Sequence, residues 1–181
     1  MLFKSCKPAM APRVVHGLAA ASLALLMATP AAAQFRLVDP DETWTEAEIP
    51  PPPAYNVNKL IKVEGPVASS LTFGVDPATI SIGPDYVVRY VIVLQGPAAV
   101  TAVYEGIRCN TGAKRVYARR NGTSEWETVK EDWMPLNSSS ATKYAWNMAR
   151  DGVCIGVATN NSVRDIVRDL QSNRGVMNMY R

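Results

Sequence analysis

Between Leu60 and Tyr117 the apolar residues come in short runs separated by turn-forming pairs, which is the pattern of strands. Strands are predicted at Leu60–Val63, Leu71–Asp76, Thr79–Ile82, Tyr86–Leu94, Val100–Cys109 and Lys114–Arg120. Gly65-Pro66, Asp76-Pro77, Gly83-Pro84, Gly96-Pro97 and Asn110-Thr111-Gly112 separate them. Connections this short join neighbouring strands, so the expected sheet is an antiparallel meander. Past the turn at Asn121-Gly122 the period lengthens. Ala141, Tyr144, Ala145 and Met148 share one side of a helix predicted from about Ser139 to Ala149; Val163, Ile166, Val167 and Leu170 do the same from Val163 to Leu170. Ser162 followed by Asp165 forms a capping arrangement for the second helix, and Gly175 suits its exit. The fold class is therefore α+β: an antiparallel sheet with two C-terminal helices packed on it.

The central hairpin permits a register expectation. With Leu94 facing Val100 across a Gln95–Ala99 loop, Ile92 faces Ala102, Tyr90 faces Tyr104 and Arg89 faces Glu105. Arg89 and Glu105 are thus expected to form a structural ion pair that keeps Glu105 ionised.

Hydropathy also divides the chain at its N-terminus. Lys4, Lys7 and Arg13 precede an apolar run from Gly17 to Met27, and Ala31-Ala32-Ala33 supplies small residues before Gln34. The run is too short to span a bilayer, so residues 1–33 read as a cleaved secretory signal. Residues 34–58 hold Asp39, Asp41, Glu42, Glu46, Glu48, Trp44 and four consecutive prolines, Pro50 to Pro53. Such a stretch favours polyproline geometry and reads as an extended arm laid over the domain of residues 59–181. Its acids lack the Gly-centred spacing of an EF-hand loop.

Removing the signal changes the charge and the chemistry. Three of the 19 basic residues leave with it, so 16 remain against 16 acidic residues. A neutral chain lacks the basic footprint of a nucleic-acid binder. His16, the single histidine, also lies in the signal. The remaining chain has no imidazole for a Ser-His-Asp or Cys-His site and lacks the commonest metal ligand, so no metal and no cofactor are expected. Cys109 and Cys154 remain as an even pair, most simply one disulfide in an exported chain. The rival, a reactive thiol, has neither a nearby histidine nor a Cys-x-x-Cys spacing to lower its pKa. No second long apolar segment follows, so no transmembrane segment is expected after residue 33.

Ser81-Ile82-Gly83, Val87-Val88-Arg89-Tyr90, Tyr104-Glu105-Gly106-Ile107-Arg108-Cys109, Tyr117-Ala118, Trp126 and Trp133 together resemble the CNP1-like family of exported proteins of Gram-negative bacteria. The resemblance implies a location in the envelope, in the periplasm, and carries no activity. Tyr86 departs from it by standing where many members would have a glycine.

The functional expectation is a non-catalytic envelope domain that binds an envelope component or another protein, with Tyr104, Arg108, Trp126 and Trp133 as the binding residues. The alternative is a carboxylate-based hydrolase of cell-wall glycan, working through Glu105 with Asp85 or Asp132 with Asp151. An anion site made by Arg89, Arg108 and Lys114 is a third reading. Ser140 and Lys143 match a Ser-x-x-Lys nucleophile only in outline, with the rest of that motif set missing.

Overall fold

A computed structural model of the chain describes residues 43–172. Among the described residues ten strands form in chain order: β1 (Ile61–Val63), β2 (Thr72–Val75), β3 (Ser81–Ile82), β4 (Val88–Gln95), β5 (Val100–Arg108), β6 (Ala113–Asn121), β7 (Glu127–Thr128), β8 (Met134–Pro135), β9 (Cys154–Ile155) and β10 (Ala158–Thr159). The first eight build one antiparallel sheet in the order β1-β2-β4-β5-β6-β7, with β3 also on β4 and β8 also on β6. β9 and β10 form a separate hairpin. The expected meander is therefore present, together with four further two-residue strands, β7 to β10, too short to leave a period in the sequence.

Pro77 explains one departure. It starts a 3-10 turn over Pro77–Thr79, capped by the Asp76 side chain, which accepts from Ala78 N at 3.0 Å. The strand expected at Thr79–Ile82 is cut back to Ser81–Ile82, so β2 and β3 lie one after the other along the same edge of β4.

Two helices, α1 (Lys143–Met148) and α2 (Val163–Ser172), cover one face of the sheet. A 3-10 turn over Ser140–Thr142 leads into α1, and a π-helical turn over Ala149–Val153 leaves it. Tyr144, Ala145 and Met148 face inward as expected, while Ala141, in the leading turn, is exposed. Ser162 Oγ accepts from Asp165 N at 3.1 Å, the expected cap of α2; Gly175 lies outside the described residues. Phe73, Val75, Tyr90, Ile92 and Ile107 from the sheet meet Tyr144, Met148, Val153 and Ile166 from the helical layer. Cys109, just past the end of β5, is bonded to Cys154 in β9, so the helical layer is stapled to the strand end.

Val91, Val93, Ala102, Tyr104, Tyr117 and Ala118 form a smaller cluster on the opposite face, where Tyr55 and Trp126 pack against it. Tyr55 belongs to residues 43–58, which cross this face without forming a strand. Both faces of the sheet are therefore covered, one by helices and the other by the arm.

The hairpin register differs from expectation by one residue. Gln95, not Leu94, pairs with Val100, and Gly96 N donates to Ala99 O at 2.9 Å, closing a four-residue loop. Arg89 then faces Gly106, and Tyr90 faces Glu105. A shift of one residue sends every side chain to the other side of its partner, so Arg89 and Glu105 lie on opposite faces and form no ion pair.

Candidate functional site

The corrected register separates two polar clusters. On the helix side, the Glu105 carboxylate is fully buried and accepts three hydrogen bonds, from Tyr90 OH at 2.7 Å, Tyr144 OH at 2.8 Å and Lys114 Nζ at 3.0 Å. Lys114 is also buried and donates as well to Tyr144 OH at 3.2 Å. Burial, and then the neighbouring Glu105 carboxylate, push the Tyr90 and Tyr144 hydroxyls well above the usual tyrosine range. This satisfied network has no solvent access, and its chemistry is structural.

On the arm side, Arg89 makes a two-point contact with Asp85, Nη1 to Oδ1 at 3.1 Å and Nη2 to Oδ2 at 2.6 Å. Asp85 also accepts from Ala47 N at 2.9 Å and Val87 N at 3.2 Å. Burial opposes its ionisation, but the Arg89 guanidinium and these two backbone donors outweigh that, and its carboxyl titrates below the ordinary aspartate value. A depressed carboxyl stabilises the fold above its unfolded pKa and loses that contribution as pH falls through its folded value. The urea midpoint is therefore expected to fall as the pH drops below the ordinary aspartate value of about 4. Asp85→Asn should be less stable at pH 7 and show a shallower acid decline, measured by denaturant titration across that range.

Glu46 from the arm completes this cluster. It accepts from Tyr117 OH at 2.7 Å and Arg115 Nη1 at 2.5 Å, and lies 3.6 Å from Arg89 Nη2. Gly106 makes the approach possible: a Cβ there would sit 2.6 Å from Tyr117 OH and 2.8 Å from Val87 Cγ1. Tyr55 packs edge-on to Trp126 at 6.1 Å, and Trp44 to Trp133 at 5.8 Å. The Arg108 guanidinium lies 3.7 Å over the Trp44 ring.

These contacts relocate the residues singled out from sequence. Tyr104 is buried against Tyr117, and Trp126, Trp133 and Arg108 grip the arm. Arg89, Arg108 and Lys114 do not converge, because Lys114 belongs to the helix side with Glu105. Glu105 and Asp85 likewise act on opposite sides of the sheet. Asp132 is exposed, and Asp151 is bonded to Arg150 at 2.7 Å. Among the described residues no group of His, Cys, Asp and Glu is placed to hold a metal ion.

A cleft of about 280 Å³ opens at the disulfide end of the sheet, bounded by Trp44, Tyr86, Arg108, Cys109, Asn110 and Val157. Its volume is just under the usual lower bound for a small-molecule pocket, suiting one side chain or one ring. Tyr86 and Val157 stand on its lip, 74% and 75% exposed, with Ile155 also exposed nearby. Tyr86 has φ +61°, and among the described residues it alone combines a side chain with a positive φ. Its carbonyl accepts from Thr159 Oγ1 at 2.6 Å, tying this turn to the β9–β10 hairpin. In the sequence Tyr86 stands out only as a departure from an expected glycine; Val157 carries no signal, being a lone aliphatic in a turn.

Comparison with protein families matches residues 39–171 to the CNP1-like family. No curated protein and no solved structure matches the chain.

Proposed function

The chain belongs to the CNP1-like family, and from that premise we propose that it is an exported, non-catalytic binding domain of a Gram-negative envelope, working in the periplasm once residues 1–33 are removed. The observation that carries the binding reading is Tyr86. A side chain at φ +61° costs about 1 kcal/mol relative to glycine. The fold gains no burial in return, because the ring is held in solvent beside the cleft. Strain and exposure at one aromatic residue are the expected signature of a contact residue for a partner. The Cys109–Cys154 bond supports export, since such staples persist in oxidising compartments. A two-carboxylate glycan hydrolase gains no support, because Glu105 is sealed beneath the helices and Asp85 is held by Arg89 on the far side.

Tyr86→Gly is expected to stabilise the isolated domain by roughly 1 kcal/mol while weakening partner binding. A photoreactive phenylalanine analogue at position 86, in chain exported with its leader, should crosslink an envelope component that the same analogue at Arg164, on α2, does not. Equal crosslinking at the two positions would remove the cleft from consideration. A mature chain whose mass does not begin at Gln34 would remove the export.

A further inference from the structure

The face beneath the arm has the properties of a binding site. Among the described residues, no main-chain to main-chain hydrogen bond ties residues 43–56 to the sheet. The arm is held by side chains instead, and its central contact is one carboxylate. Tyr117 and Arg115 hydrogen-bond the two oxygens of Glu46, and Arg89 adds its charge at 3.6 Å. Arg89 is itself oriented by Asp85, and Tyr117 by packing on Tyr104, so these groups are positioned from the sheet. Trp133 and Trp126 provide aromatic contacts for two arm rings. Arginine forks with a hydroxyl donor suit carboxylates, and an aromatic-lined surface suits a proline-rich segment, which loses little entropy on docking.

We propose that this face is a recognition site for an extended, glutamate-bearing, proline-rich segment of another polypeptide, and that the arm occupies it in cis as a displaceable strap anchored by Glu46. The proposal does not rest on the cleft at Tyr86, although Trp44 of the arm forms one of its walls. A tethered segment acts at an effective concentration on the order of millimolar. A competitor must therefore bind the open face more tightly than that, or meet an arm already loosened.

The test uses the full chain and a fluorescent peptide with the sequence of residues 43–56 as the probe. Binding to the unmodified chain should be weak, because the tethered arm competes. Glu46→Gln in the chain removes the ionic anchor and should raise peptide affinity by about tenfold or more. The same substitution in the peptide should cancel the gain. Absence of binding to the Glu46→Gln chain, with circular dichroism and the disulfide unchanged, overturns the proposal. Should that variant fail to fold, the unmodified chain at a few millimolar unlabelled peptide gives the answer: the indole N–H signal of the chain's own Trp44, which donates to Asp85 O at 3.1 Å while the arm is docked, must shift as the arm is displaced, and a static signal overturns the proposal. Exchange of arms between isotope-labelled and unlabelled copies without added peptide would make a second copy the occupant and would also overturn the proposal as stated.

Discussion

Lys114→Met is expected to destabilise the domain by about 3–5 kcal/mol, because it leaves the buried Glu105 carboxylate without its cation. Neither partner is accessible, so water cannot replace the lost charge without opening the helical layer. The tyrosines sharpen the prediction. Tyr90 and Tyr144 both donate to Glu105, so an acceptor is still required when the charge is gone. Adding Glu105→Gln to Lys114→Met supplies a neutral acceptor and should recover most of the loss, whereas Glu105→Leu should not. Urea titrations of the two single variants and the double variant form the cycle that checks this. Equal losses for Lys114→Met alone and for the double variant would show that the ammonium acts through packing rather than charge.

The second large effect concerns the staple. Cys109 and Cys154 are 45 residues apart, and closing that loop removes denatured-chain entropy worth about 4 kcal/mol in the chain model. Replacing both with alanine should lower the melting temperature by roughly 10–20 °C, given the unfolding entropy of a domain near this size. The loss is a large fraction of a typical net stability of about 5–15 kcal/mol. Calorimetry with and without reductant measures the same quantity on the unmodified chain. A change under about 5 °C would mean that the β9 hairpin stays seated through the hydrogen bonds of Thr159 to Tyr86 O and of Asn160 to Gly152 O.

Where turn chemistry is strong, the strands are legible in the order of residues alone. Glycine and proline pairs bound β2, β4 and β5 closely, and counting cysteines suffices to predict the bond. The register of β4 against β5 is not legible, for a definite reason. Alternation identifies a sheet's inner face only when the other face is polar. Residues Val87 to Val93 are all buried, because the arm covers the face that would otherwise meet water. With no polar side to count from, a five-residue and a four-residue loop fit the apolar pattern equally well. The choice decides the partners of Arg89 and Glu105.

The arm contacts are hidden by distance in sequence. Glu46 meets Arg115 and Tyr117, 69 and 71 positions later, and nothing local to Glu46 distinguishes it from Glu48. Trp126 and Trp133 are recognisable as an aromatic surface, but their neighbours prove to be Tyr55 and Trp44 of the same chain.

An oily layer between helix and sheet lets the helix creep by a turn at little loss, since one methyl contact replaces another. The three donors gathered on Glu105 remove that freedom. Sliding α1 by one turn, about 5.4 Å, would carry the Tyr144 hydroxyl out of reach and leave the carboxylate short of a donor in a dry space. The acid thus acts as a keyway, giving the helix one seat on the sheet where hydrophobicity alone would accept several.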